Sequence, residues 1–219
     1  MTYPTVFADS VPWLSVEQMA EADRLAIEVF GIGLLQMMEH AGRSLADVVM
    51  TIAPEGDVVV IAGGGNNGGG GLCAARHLLN RGRNVGVALA TDRLGDAARQ
   101  HLHTLAGMGV APTELPPDWP VVVDALVGYG LDGPLRGGAA ELAGWSAGRY
   151  VISLDFPSGL GYEGAIEPSA TVTLALPKLE LRDVRPLFLA DLGLPDALWA
   201  AMEMDISAVF AAGAVLRVE

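Results

Sequence analysis

The chain has 219 residues, about half of them apolar, which is enough for one α/β domain with a substantial core. Its formal net charge of −13 disfavours a nucleic-acid backbone as partner, because that binding needs a positive surface. No apolar run is long enough to span a bilayer, no basic stretch followed by an apolar core opens the chain, and the single cysteine, Cys73, excludes an internal disulfide; a cytoplasmic, membrane-free protein is the expectation.

Ser15 followed by Gln18 reads as a capping box, and Met19, Ala22, Leu25, Ala26 and Val29 then recur at helical spacing. Gly31 and Gly33 interrupt the pattern before a second helix over 34–50, with Leu35, Met38, Ala41, Leu45 and Val48 on one face. Two helices ahead of the first strand are expected to form a lid or a dimer surface rather than part of the central winding. Residues 58–62 are a continuous apolar run, as a strand covered on both faces requires. A glycine run, 63–71, leads into a helix expected from about residue 71 to 81. Further strands are expected over 84–90, 121–126, 150–155, 171–176 and 187–191, and helices over 95–107, 135–147 and 195–202. A proline-rich connection covers 112–120. Strands alternating with helices imply a parallel sheet with right-handed crossovers.

Chemistry concentrates where these strands end. Glycines at 63–71, interrupted only by Asn66 and Asn67, let a backbone approach a ligand closely, and a helix start offers free N–H groups to an anion. Gly63, Gly65 and Gly68 also satisfy the dinucleotide fingerprint, with Asp92 as a ribose acid, which is the signature of an NAD-dependent dehydrogenase. Asp124 and Asp155 each end a strand and precede a glycine-bearing loop. Two such carboxylates either coordinate a hard cation through oxygen or act in proton transfer. His101 and His103 read as a solvated helix face, Cys73 as a small core residue, and the methionines at 37, 38, 202 and 204 as core or interface residues. His40 either faces the ligand or packs.

Taken together, five segments resemble the YjeF N-terminal domain family, the NAD(P)H-hydrate epimerases. They are residues 14–32 with the following Met38–Arg43, the loop Gly63–Leu72, Val122–Gly137, Leu154–Leu160 and Leu174–Lys178. The resemblance runs from about Leu14 to Asp191 and treats the chain as one such domain, 1–219. It implies a Rossmann-like three-layer α/β fold, a parallel sheet with helices on both faces and two N-terminal helices, and a homodimer. It implies a potassium ion at Asn67, Asp124 and Ser158. It implies substrate contacts from Asn66, Asn67, Gly68, Gly69 and Gly70, from Gly128, Tyr129, Gly130, Leu131, Asp132, Gly133 and Pro134, and from Asp155. Asp155 is the implied acid/base and Lys178 its aid in positioning the ligand.

The implied reaction interconverts the R and S forms of NADHX and NADPHX, the hydrated nicotinamide cofactors, and a separate dehydratase is the expected pathway partner. Three positions depart from the family pattern: Gly70 stands where the loop carries an aspartate, Gly161 where an aspartate follows Ser-Gly-Leu, and His40 where an asparagine precedes Ala41. These departures support a second reading, a catalytically degenerate nucleotide-binding or dimerisation module.

Overall fold

The computed structural model describes residues 3–113 and 119–219. Most of the expected connection at 112–120 therefore lies outside the described residues. Among them the elements run β1 (Thr5–Val6), α1 (Val16–Glu28), α2 (Leu34–Ile52), β2 (Val58–Ala62), α3 (Asn66–Asn80), β3 (Val85–Leu89), α4 (Asp96–Gly107), β4 (Val121–Ala125), α5 (Gly138–Ser146), β5 (Tyr150–Leu154), β6 (Ala170–Leu174), β7 (Leu187–Ala190), α6 (Asp196–Ala201) and β8 (Val215–Val218). Ser15 and Gln18 form the expected capping box at the start of α1.

The eight strands form one sheet in the order β1-β8-β7-β6-β5-β4-β2-β3. All neighbours are parallel except β7 and β8. The short strands β1 and β8 were not expected from sequence, and the antiparallel β8 qualifies the all-parallel expectation. β3 and β4 lie on opposite sides of β2, so the chain reverses its direction of winding between β2 and β4. In an open α/β sheet that reversal opens a crevice beyond the carboxyl ends of the two strands.

Strand residues alternate between two apolar layers. Val58, Val60, Ala62, Val121, Val123 and Ile152 pack with α2, α3 and α4. Val59, Ile61, Val122 and Val151 pack with Ala143 of α5. Leu187, Leu189, Leu216 and Val218 pack with Met19, Ala22 and Ala26 of α1 and with Leu198 and Trp199 of α6. The two N-terminal helices are therefore structural layers, not an external lid: α2 carries Leu45, Ala46, Val48 and Val49 into the core with no exposure. A ridge of small residues lets α2 meet α3 closely. A Cβ on Gly42 would lie 2.6 Å from Cys73 Sγ.

Glu39 fastens the same pair of helices. It accepts from Arg76 and lies 2.8 Å from His77 Nε2. Burial and the Arg76 charge hold the His77 imidazole below its ordinary value, so the ring is neutral and Nε2–H donates to Glu39. Burial and then the charge of Glu39 push the Cys73 thiol up to about 12. Cys73 is thus an inert, buried residue, as expected. His101 departs from its expectation: α4 turns it inward, nearly buried, while His103 stays exposed.

Candidate active site at the sheet switch point

The helix after β2 begins earlier than its sequence suggests. Asn66 is already helical, so Gly68–Gly71 form the first turns of α3 rather than a free loop. Packing explains most of these glycines. A Cβ on Gly63 would lie 1.9 Å from the Leu126 carbonyl oxygen, and one on Gly68 1.9 Å from the Gly63 carbonyl oxygen. A Cβ on Gly71 would lie 2.3 Å from Ala125 Cβ. Real side chains never approach so closely, so these positions let the helix start press against β2 and β4. No side chain caps this helix start, and its first N–H groups remain available to an anion.

A cavity of about 470 Å³ opens beside it, within the range of small-molecule sites. Gly64, Gly65, Asn66, Asn67 and Gly70 form one wall, and Gly128, Tyr129 and Gly130 another. Asp155 and Leu154 contribute from the end of β5, Met37 and Met38 from α2, and Asp23 from α1. Gly68 and Gly69 face the packed interior instead, and Leu131, Asp132, Gly133 and Pro134 are not among the lining residues. Neither Asp92 nor His40 lines the cavity; both are exposed, and the His40 ring lies near Gly193. Gly161 is exposed with a φ of +86°, a backbone that favours glycine, and a side chain there would meet open space.

Asp155 follows β5 with a φ of +65°, an unusual conformation for a residue with a side chain and one found at functional sites. Its carboxylate is buried. Lys178, fully buried, donates to Asp155 Oδ1 at 2.5 Å and to the Leu174 carbonyl at 2.8 Å. The other oxygen, Oδ2, lies 3.3 Å from where a Gly128 Cβ would stand. Glycine at 128 therefore keeps the space in front of the carboxylate open. Lys178 itself is fixed by the chain: Leu14 pairs with it in a parallel bridge just before α1 begins.

Of the three residues of the implied potassium site, Asn67 lines the cavity, while Asp124 and Ser158 are fully buried behind its Val127 wall and do not line it. Asp124 is the fourth residue of β4, not its end, and has no exposure. It accepts from Ser158 Oγ at 2.6 Å, Ser153 Oγ at 2.8 Å, Ser158 N at 2.9 Å and Leu126 N at 3.2 Å. Burial pushes its carboxyl above the ordinary value against these bonds. Asn67 has a buried Nδ2 without a partner, and its Oδ1 faces Gly128. A buried amide N–H without a protein partner is free to donate to an acceptor such as a phosphate or water oxygen, and leaves Oδ1 for a cation. The carboxylate, hydroxyl and amide oxygens together suit a hard cation.

Asp23 was not singled out from sequence. Its carboxylate Oδ2 accepts from the Tyr129 hydroxyl at 2.6 Å, which ties α1 to the loop after β4. Burial raises the Asp23 carboxyl above its ordinary value, and the charge of Asp155 adds to this; the Tyr129 bond and the charge of Lys178 oppose it. A signal existed in the sequence: Asp23 interrupts the apolar stripe of Met19, Ala22 and Ala26 on α1. A carboxylate on the inward stripe of a helix needs a buried partner or a task.

Comparisons with known proteins identify the family of the chain. The family profile described as YjeF-related protein N-terminus matches residues 34–180. A protein of Dehalogenimonas lykanthroporepellens named NAD(P)H-hydrate epimerase is 38% identical over 239 aligned positions, covering 99% of this chain and 97% of that one. A protein of the same name from Rhodopirellula baltica is 36% identical, covering 77% of each chain. The crystal structure of yeast ynu0 superposes with a TM-score of 0.81 at 26% identity, covering 94% of this chain and all of that one. With the sheet order, the crevice and its residues in place, these matches establish that the chain belongs to the YjeF-related N-terminal family.

Proposed function

We propose that this protein is an NAD(P)H-hydrate epimerase, interconverting the R and S forms of NADHX and NADPHX. The observation that carries the reading is the buried Asp155–Lys178 pair, with Asp155 opening on a cavity bounded by an uncapped helix start. The relatives of similar length carry that name.

In this reading the helix start at Asn66 and Asn67 takes a phosphate of the dinucleotide. Gly128, Tyr129 and Gly130 enclose the nicotinamide half. The reaction inverts one carbon that bears a hydroxyl next to a ring nitrogen. It needs a proton carrier at the hydroxyl and a negative group beside the transient cation. Asp155 supplies both properties. Lys178 holds one of its oxygens, so the other is presented in a fixed orientation toward the space before Gly128. The potassium ion assigned to Asn67, Asp124 and Ser158 would contribute positive charge for the substrate phosphates. Asp124 and Ser158 keep the strand ends of β4 and β5 in register around it.

The same reading includes a homodimer, a cytoplasmic location and a separate dehydratase that consumes the S form. Ile27, Val29 and Leu35 support the dimer, since they are large apolar side chains left exposed around the junction of α1 and α2. No helix among the described residues is long and apolar enough to cross a membrane.

The test is conversion of pure R-NADHX to the S form, with and without protein. Acceleration above the spontaneous rate is expected. Tight nucleotide binding without acceleration would replace the epimerase with the degenerate binding module, a reading that Gly70 favours. The Gly70→Asp variant sharpens the choice. A Cβ there meets only Leu154 Cδ2, at 2.8 Å, so a small rotation of one leucine admits the side chain. The variant is expected to fold and to keep the activity of the parent within about tenfold, because Asp155 already serves the proton transfer.

A further inference from the structure

We propose that Asp23 is a second proton carrier of this site, working on the substrate hydroxyl from the α1 wall while Asp155 works from the end of β5. The proposal rests on the epimerase reading and adds to it a residue and a division of labour.

Three observations support it. Asp23 and Asp155 are the two carboxylates among the residues lining the cavity, and they reach it from different elements. With glycine at position 70, the α3 wall offers no carboxylate of its own. Their surroundings also differ in kind. Asp155 accepts a hydrogen bond from the buried Lys178 Nζ at 2.5 Å. Asp23 has no cation bonded to it; its hydrogen-bond partner is a neutral phenol, and burial disfavours its charge. Two carboxyl groups in one cavity, one paired with Lys178 and the other bonded to a phenol and disfavoured by burial as a charge, divide naturally into base and acid.

Inversion at a carbon needs such a division, because the hydroxyl leaves one face and is restored on the other. In the step proposed, the Asp23 carboxylic acid gives its proton to the substrate hydroxyl. The C–O bond breaks and its electron pair departs with oxygen as water. The lone pair of the ring nitrogen forms a C=N double bond, leaving a planar cation beside the Asp155 carboxylate. A water molecule adds to the opposite face through an oxygen lone pair, the C=N pair returns to nitrogen, and Asp155 accepts the surplus proton. One water leaves and one enters. Exchange with solvent then restores the protons, and the reverse reaction uses the two groups in opposite roles.

A merely structural role is the competing account: the Tyr129–Asp23 bond would then only pin the 128–134 loop to α1. Two variants separate the accounts. Asp23→Asn keeps an oxygen to accept from Tyr129 but carries no exchangeable acid proton. Tyr129→Phe removes the bond and leaves the carboxylate. Rates of R-to-S conversion are measured from about pH 5 to 9, with KM and melting temperature alongside.

Asp23→Asn is expected to lower kcat by about 100-fold or more, with KM and melting temperature little changed. It should also abolish the fall in rate at high pH that reports loss of the acid form. Tyr129→Phe is expected to lose less than about tenfold and to move that fall to higher pH, since the bond it removes lowers the Asp23 carboxyl. The groups facing Asp23 are Tyr129, Lys178 and Asp155, and both variants leave the last two in place.

An active wild type in which Asp23→Asn retains kcat within threefold and the same high-pH fall overturns the proposal and leaves the epimerase intact. A wild type that does not accelerate the conversion overturns both. If Asp23→Asn does not fold, the Tyr129→Phe profile decides: an unmoved high-pH fall overturns the proposal.

Discussion

Replacing Lys178 by methionine tests the central pair of the site. Methionine keeps most of the aliphatic stem, so the change removes one charge and three donors with little loss of packing. In the wild type those donors serve Asp155 Oδ1 at 2.5 Å, Leu174 O at 2.8 Å and Thr173 Oγ1 at 3.3 Å, all within a fully buried environment. Asp155 is only 4% exposed, so water compensates little for the lost ammonium at Oδ1. Breaking one partner of a buried ion pair costs about 3–5 kcal/mol, because the remaining charge stays uncompensated. With a urea slope of about 2 kcal/mol/M, the unfolding midpoint should fall by roughly 2 M. Equilibrium urea unfolding, followed by circular dichroism and by tryptophan emission, reads this directly. The double variant Lys178→Met with Asp155→Asn removes the stranded charge as well and should recover at least half of the loss, a coupling that a double-mutant cycle isolates. A single-variant loss below about 1 kcal/mol, the scale of an exposed pair, would mean that Lys178 and Asp155 do not form a coupled buried pair. So would a double variant no more stable than the single one. Both variants should lack epimerase activity.

Alanine at Gly63 or Gly68 forces a Cβ to within 1.9 Å of a carbonyl oxygen, and each should destabilise the fold by about 3 kcal/mol or more; Gly65→Ala, with nothing near its Cβ, should cost less than about 1 kcal/mol, and thermal melts compare the three. Stability should fall as pH drops below about 6.5. His77 and His101 are held below their ordinary value by burial and then by the Arg76 charge, so the unfolded chain takes up protons there that the native state does not. A second loss follows below about pH 4.5. Burial would raise the Glu39 carboxyl, but its bond with Arg76 and the charges of Arg76 and His77 outweigh burial and bring it down to about 2. Its stabilisation is thus present above the unfolded value and lost as pH falls through the folded one. Melting temperatures from pH 7.5 to 4 should show the first loss shallower in His77→Gln, and a flat profile there would contradict the neutral buried imidazoles.

The winding of the sheet was readable from the order of residues alone, and so were several residues that line its crevice. Val58–Ala62 and Val121–Val123 are apolar without alternation because both faces of the central strands are covered, and the period changes to 3.6 wherever a helix begins. Asn66, Asn67, Asp124 and Asp155 were singled out because each stands at, or within a few residues of, a strand end that leads into a glycine-bearing segment, where an open parallel sheet gathers its ligands, whereas Ser158 entered only through the family resemblance.

The role of the glycines is set by packing in three dimensions. Their number suggested a loop built to approach a ligand, yet Gly63, Gly68 and Gly71 are set by contacts with Leu126, Gly63 and Ala125, distances that no linear pattern contains. The edge strands β1 and β8 escaped notice because each is too short to show alternation, and they exist through pairing across the whole length of the chain. His101 turned inward because α3 covers that side of α4. Asp23 became visible as part of the site once α1 was seen to lie against the loop after β4, 106 residues further along. A carboxylate's role depends on its neighbours in space, and those are fixed by how the layers pack rather than by the order of residues.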